Sequence, residues 1–390
     1  MNGCIERASG TRIWDESGKE YIDFLLASGP LILGHSHPRV TKAVAEQLQR
    51  GSAYYSVNRP AVDLAEMLVE VPGSVDIVRF ASTGTEATMH AVRLARAYTT
   101  RDKVLVFAGG YHGSHDVSIV GHGGALKAQR GGVPRSLVDD VLVASFDDVD
   151  SVRNAFAQHG KEIAAVLIEP QQRSQDPRPG FLEELRELTV EAGAVLIFDE
   201  VLTGFRLAYG GAQEYFGVEP DLVCYGKIVG GGFPLAAVGG RSEIMAHADP
   251  ARASSSDYVH FSGTLSGNPI SATAGVVTLR ELQAPGVYPR LHALGGHLRS
   301  SLREAMDYAG VAGRVYGSGP LAAVTLNDVD GPDSGKLLKS EVNREMIARG
   351  ILVQLQTRFY VSLAHTEPEL DQAAEAFADS LIATRRSLAI

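Results

Sequence analysis

Apolar and polar positions fall into regular blocks through the middle of the chain. Short apolar runs at 103–107, 141–144, 163–168, 194–198, 222–225 and 235–238 read as strands, with another at 76–81. Between them, 86–98, 149–157 and 182–192 carry apolar residues at helical spacing. Apolar strands alternating with amphipathic helices predict an α/β fold, a mainly parallel sheet covered on both faces. The ends read differently. A strand followed by a loop is expected within 21–33 and a helix over 37–50. After Asn268 the pattern turns helix-rich, at 271–282, 291–308 and 367–384, with strands at 321–326 and 359–363. The expected division is a large domain over 51–275, and a smaller α+β domain built from 1–50 and 276–390 together. The stretch 109–135, rich in Gly and His, has no period. A loop of that length is either functional or a surface excursion.

Length and composition support an enzyme of this class. The chain has 390 residues, of which 45% are hydrophobic and 42 are Gly, enough for a sizeable core and many tight turns. A formal net charge of −10 argues against nucleic-acid or anionic-membrane partners. With two cysteines, no apolar leader and no long apolar run, a cytoplasmic protein without disulfides is expected.

Three stretches carry candidate chemistry. Ser82-Thr83-Gly84-Thr85-Glu86-Ala87 follows a strand and opens a helix. It is either an anion site, with Gly84 admitting a phosphate to the first N–H groups, or a plain helix cap. The apolar strand at 194–198 ends in Asp199 and Glu200, where open parallel sheets bind ligands. An acid there holds Mg²⁺, a ribose or a protonated ring nitrogen, or caps a helix. No P-loop and no dinucleotide fingerprint accompanies it. Lys227 follows an apolar strand and precedes Gly230, Gly231 and Gly232. Glycines there are expected to clear space for a group attached to a nucleophilic lysine; the alternative is an exposed loop lysine. Together the three suit a phosphorylated pyridine aldehyde, with Tyr111-His112-Gly113 as an aromatic face. His112 and His115 lack a third ligand at metal spacing, and no metal is expected.

At this point the chain resembles the class III (ω-type) aminotransferases of pyridoxal-phosphate fold type I, in particular the glutamate-1-semialdehyde 2,1-aminomutase-like branch. The motifs are G-P-L-I-L-G-H-S-H-P from Gly29, S-T-G-T-E-A from Ser82, G-Y-H-G from Gly110, F-D-E-V-L-T-G-F-R from Phe198, G-K-I-V-G-G-G-F-P from Gly226, S-G-T-L-S-G-N-P from Ser262 and S-L-A-H-T from Ser362. The resemblance implies pyridoxal 5′-phosphate as cofactor, held by Lys227 as a Schiff base. It implies Asp199 on the pyridine nitrogen, Val201 under the ring, and Tyr111 with His112 over it. Gly84 and Thr85 would take the phosphate and Gln172 the ring hydroxyl. It also implies a homodimer with shared active sites, in which Thr264 reaches the partner's phosphate.

Two departures bear on the substrate. The aminomutases have an N-terminal segment supplying an arginine, whereas here Met1 comes almost directly before the shared pattern. Their acidic loop near the C-terminus is replaced by a stretch carrying Arg358. Arg358 is either a carboxylate anchor, as in a related branch acting on β-amino acids, or a surface arginine. The reading is an aminotransferase that moves an amino group from an amino acid or amine to a carbonyl acceptor. The alternative is intramolecular transfer by an aminomutase.

Overall fold

The apolar blocks become strands of one large sheet because each side chain on them finds an apolar face. The computed structural model describes residues 3–122, 131–326, 334–355 and 358–388. From the N-terminus the elements are β1 (Ile5–Ser9), β2 (Arg12–Asp15), β3 (Glu20–Asp23), α1 (Pro38–Arg50), α2 (Arg59–Val69), β4 (Ile77–Ala81), α3 (Gly84–Thr99) and β5 (Lys103–Phe107). There follow α4 (Asp116–Ile119), α5 (Arg135–Asp139), β6 (Val141–Ala144), α6 (Val149–His159), β7 (Ile163–Ile168), α7 (Phe181–Ala192), β8 (Val195–Glu200), α8 (Gly211–Phe216), β9 (Leu222–Tyr225) and β10 (Ala236–Gly240). The last are α9 (Ser242–Met245), α10 (Pro269–Leu282), α11 (Val287–Ala309), β11 (Gly313–Tyr316), β12 (Leu321–Leu326), α12 (Ser334–Ala348), β13 (Ile351–Leu352), β14 (Phe359–Tyr360) and α13 (Glu367–Leu388).

The chain divides into two units, 42–282 and the combination of 1–41 with 283–390. The sequence-based boundaries, 50 and 275, differ from these by a few residues, since α1 runs across the first division and α10 ends at the second.

In the unit 42–282, seven strands lie in the order β4-β10-β9-β8-β7-β5-β6. β10 is antiparallel to both neighbours, and the other strands point one way. Alternate residues of each central strand enter opposite cores. Val104, Ala165, Leu167, Val195 and Ile197 pack with α3 through Ala87, Ala91 and Leu94. Leu105, Val166, Ile168, Leu196 and Phe198 pack with α6 and α7 through Val152, Phe181 and Leu185. Burial on both faces explains the unbroken apolar runs. Part of the aperiodic stretch forms the short helices α4 and α5, and its residues 123–130 lie outside the described ones.

In the other unit, β1, β2 and β3 form a meander to which β13 adds in parallel, and β11, β12 and β14 form an antiparallel sheet. Phe24, Leu298, Leu302, Met346, Phe359 and Phe377 fill its core with α11, α12 and α13. The strand expected over 359–363 is only two residues long. Among the described residues no helix is long and apolar enough to cross a membrane.

Candidate active site

The strands β4, β5, β7, β8 and β9 all point to one edge of the sheet, so the residues just past their ends gather there. Alternation along β8 turns Asp199 to the α3 face, with Val195 and Ile197, and Glu200 to the opposite face. Asp199 is 3% exposed. Its Oδ1 accepts the Val201 N–H (3.1 Å), and its Oδ2 lies 2.8 Å from Nδ1 of His112. With the acid ionised, the imidazole donates. His112 is itself buried, and its carbonyl accepts the Thr88 hydroxyl (2.6 Å).

Glu200 has its own task. It is fully buried, and its carboxylate accepts the N–H groups of Ala212 (2.6 Å) and Gln213 (3.0 Å) and the Thr203 hydroxyl (2.9 Å). Burial dominates these bonds and pushes its carboxyl up to about 7. The paired acids therefore split: Asp199 faces the edge, and Glu200 ties down the segment that follows.

The turn after β4 is both of the things its sequence allowed. Thr83 Oγ1 accepts the Glu86 N–H (3.2 Å), and Glu86 Oε2 accepts those of Ser82 (2.7 Å) and Thr83 (3.1 Å), a complete capping box. Ala87 N–H reaches Thr83 O, so the cap leaves the first-turn N–H groups of Gly84 and Thr85 to partners outside the helix. A Cβ on Gly84 would come within 3.0 Å of both Val201 methyls, and one on Gly226 within 3.0 Å of one of them. Gly84, Val201 and Gly226 thus meet from three elements.

Lys227 follows β9, whose Cys224 pairs in register with Asp199. It is half-buried, with φ 49° at the start of a 3-10 turn over Lys227–Gly230. A non-glycine residue in the left-handed region is uncommon and often marks a functional site. The neighbouring glycines act differently from expectation. A Cβ on Gly231 (φ 57°) would meet Ala274 O at 2.5 Å, and one on Gly230 would meet Leu235 at 3.1 Å. They bring the backbone close to its own neighbours, α10 among them, where a side chain would collide.

The loop after β5 is held by side chains. Gln172, 7% exposed, donates its amide to Ala108 O (2.8 Å), and Tyr111 N–H donates to Glu169 Oε2 (3.0 Å). Ser114 N–H reaches Thr85 Oγ1 (3.3 Å), and Gly113 (φ 98°) passes so close to Thr85 that a Cβ would lie 2.4 Å from its hydroxyl. Nε2 of His112 and Oε1 of Gln172 are buried without a partner, and both face Gly110. The Tyr111 ring is 46% exposed and packs edge-on against His122. His115 lies 3.2 Å from the Thr88 hydroxyl, and burial lowers its imidazole to about 4. Thr264 is exposed on a turn after Phe261.

Arg358 belongs to the other unit. It is 4% exposed, not a surface side chain, and its Nε and Nη1 have no hydrogen-bond partner among the described residues. In the same unit, the motif at 29–38 follows a left-handed run at Leu26, Ala27, Ser28 and Gly29. Asp23 pins that run by accepting the Leu25 and Leu26 N–H groups, and pairs with His35 at 2.7 Å. Reading by motif did not single out Thr88 or Glu169. Thr88 stands one turn beyond Gly84, and Glu169 directly ends an apolar strand, as Asp199 does; those positions were the available signals.

Comparison with known proteins places this geometry in a family. The model of the aminotransferase class-III family matches residues 1–381. A glutamate-1-semialdehyde 2,1-aminomutase of Desulforudis audaxviator is 42% identical over 386 residues, 95% of this chain and 88% of the relative. The crystal structure of an omega-transaminase from Sphaerobacter thermophilus superposes with a TM-score of 0.92 at 37% identity, covering 98% of this chain and 91% of the other. A structure described as a transaminase with PLP bound gives 0.93 at 34% identity, covering 99% and 92%. The fold is pyridoxal-phosphate fold type I, and the chain belongs to the class-III aminotransferase family.

Proposed function

We propose that this chain binds pyridoxal 5′-phosphate at the carboxyl edge of its large sheet and uses it to move an amino group on a small substrate. The observation that carries the reading is the buried Asp199–His112 pair with Lys227 following the adjoining strand. The residues fit the cofactor. Gly84, Val201 and Gly226 form a close apolar contact that any larger side chain would fill. The N–H groups of Gly84 and Thr85 suit a phosphate, and the unpartnered Gln172 Oε1 suits a polar ring substituent.

Bound there, pyridoxal phosphate supplies an aldehyde that captures amines and a ring that accepts electrons. Asp199, which meets the His112 imidazole at 2.8 Å, would pair with the protonated ring nitrogen. Val201 and Tyr111 would pack against the two faces of the ring. Lys227 Nζ would hold the cofactor aldehyde, and its amine, when free, would serve as the base that takes a proton from the substrate's amine-bearing carbon. Lys227→Ala is expected to abolish turnover and the visible band of the bound cofactor; turnover at the native rate would refute the assignment.

Whether the amino group stays on one molecule separates two readings. The 42% identity to a named aminomutase favours intramolecular transfer, the reading ranked second from sequence. Arg358 would serve a carboxylate-bearing substrate in either reading, and the loss of the aminomutases' acidic loop at its stretch is what favours transfer between molecules. A buried guanidinium with two unpartnered N–H groups is costly unless an anion meets it, and its fork suits a substrate carboxylate. The deciding assay supplies glutamate 1-semialdehyde alone, then amino acids with and without a carbonyl acceptor. Isomerisation without an acceptor establishes the aminomutase. Turnover that requires an acceptor, and is weakened by Arg358→Ala mainly through KM, establishes the aminotransferase.

The reading includes a homodimer in cytoplasm. Asn268 and Asn58 donate their amides to Ser52 O (2.8 Å) and Gly267 O (3.1 Å), joining the segment with Tyr55 and Val57 to the turn with Thr264 and Leu265. All four side chains are exposed, Tyr55 almost completely, which suits burial against a second copy. If Thr264 acts across that interface, inactive Lys227→Ala and weakened Thr264→Ala chains should regain activity on mixing, since one site of the mixed dimer is intact.

A further inference from the structure

Beyond β5 the chain leaves the sheet and is held point by point, by Gln172 on Ala108 O, by the Gly109 N–H on Gly121 O and by His122 beside Gly110 O. Ala108 N–H still bonds to Ala144 O, and Gly109 (φ 79°) and the Gly110 N–H to Phe107 O contact close a turn. The next donor, the Tyr111 N–H, points to Oε2 of Glu169 at 3.0 Å. Glu169 is 6% exposed at the end of β7, the strand between β5 and β8. A carboxylate buried at the edge of an apolar core carries a desolvation cost that this bond helps offset. Among the described residues the Tyr111 ring packs edge-on against His122, 5.3 Å between centroids, and is nearly half exposed. Its direction follows its backbone, and Glu169 is the group that accepts the Tyr111 N–H itself. The other anchors act on neighbouring residues: Gln172 on Ala108, Gly121 on Gly109 and His122 on Gly110 before Tyr111, and Asp199 on His112 and Thr85 on Ser114 after it.

We propose that Glu169 is a positioning residue, whose carboxylate fixes the Tyr111 backbone and so the plane in which the Tyr111 ring covers the cofactor. This rests on the pyridoxal-phosphate reading above. An acceptor is what the position needs, and glutamine supplies one. Glu169→Gln should therefore behave nearly as wild type, and Glu169→Ala should not. In Glu169→Ala the ring loses its set orientation, so the cofactor should bind about tenfold more weakly, the order of one stacked aromatic. The circular dichroism of its visible band, which reports the asymmetry of the ring's surroundings, should shrink.

The test titrates cofactor-free protein with pyridoxal 5′-phosphate, reading the dissociation constant and visible circular dichroism for wild type, Glu169→Ala, Glu169→Gln, Tyr111→Ala and the Glu169→Ala/Tyr111→Ala pair. Thermal melts of the same proteins establish that they fold. The proposal expects glutamine to rescue, and Glu169→Ala to change affinity less than about twofold once Tyr111 is already alanine. An undiminished effect in the Tyr111→Ala background, or a glutamine variant as poor as alanine, would overturn it while leaving the cofactor reading intact. Failure of the wild type to bind would overturn both.

Discussion

At the residue scale the site depends on what is missing from two glycines. Gly84 and Gly226 press on the same Val201 side chain from different elements, at distances where an added methyl group would force Val201 to shift. Gly84→Ala should weaken pyridoxal-phosphate binding by about 1–3 kcal/mol, the usual range for overpacking. In a Val201→Ala background the same substitution should cost much less; an equal further loss on adding Gly84→Ala to Val201→Ala in a cofactor titration would show that the contact with Val201 is not the cause. The motif of Gly84 was legible in the sequence because strand, glycine and helix cap stand in order. Its contact with Val201 was not, because the two residues lie far apart in the chain and only the sheet brings them together.

Among the elements, the sheet strands were the easiest to read, since burial on both faces leaves runs such as Ile163–Ile168 with no polar residue. What sequence reading missed were half-buried or very short pieces. β1 is largely exposed, so it lacks an apolar signature, and β13 has two residues. The helix α2 did carry a start signal, Asn58 capping the Ala61 N–H with Pro60 in the first turn. The direction of β10 was not readable, because an apolar strand gives no sign of which way it runs. The segment between β8 and α8 is held by Glu200, whose two oxygens both accept N–H groups. Glu200→Gln puts an amide NH₂ against one of those donors. It should destabilise this unit by about 1–3 kcal/mol in denaturant melts, with Tyr225 fluorescence as a local reporter. An unchanged midpoint would mean that the segment is anchored elsewhere.

Across the whole molecule, both units carry histidines kept neutral by burial. His90 and His115 in one and His365 in the other are lowered from 6.5 to about 4, burial being the main cause in each. Their pKa is lower folded than unfolded, so the stability they allow is present above about 6.5 and is lost as pH falls toward 4, where the unfolded chain takes up protons first. The melting temperature should drop across that window. His90→Phe, which keeps the stack on Phe261, should make the drop shallower; an equal slope in that variant would contradict the assignment.

The antiparallel strand β10 has a consequence for how the protein is made. β4, which leads directly into the Gly84 turn, lies at the edge of its sheet, and its single neighbour there is β10, with Ala81 opposite Ala236. During translation β4 leaves the ribosome early and waits while nearly the whole unit is synthesised. Pairing across so long an intervening stretch is slow, and an unpaired edge is exposed meanwhile. A nascent chain arrested short of Ala236 would already carry Gly84, Asp199 and Lys227 yet lack the strand that seats the first of them, so competence to bind the cofactor should arise only with the last strand of the sheet.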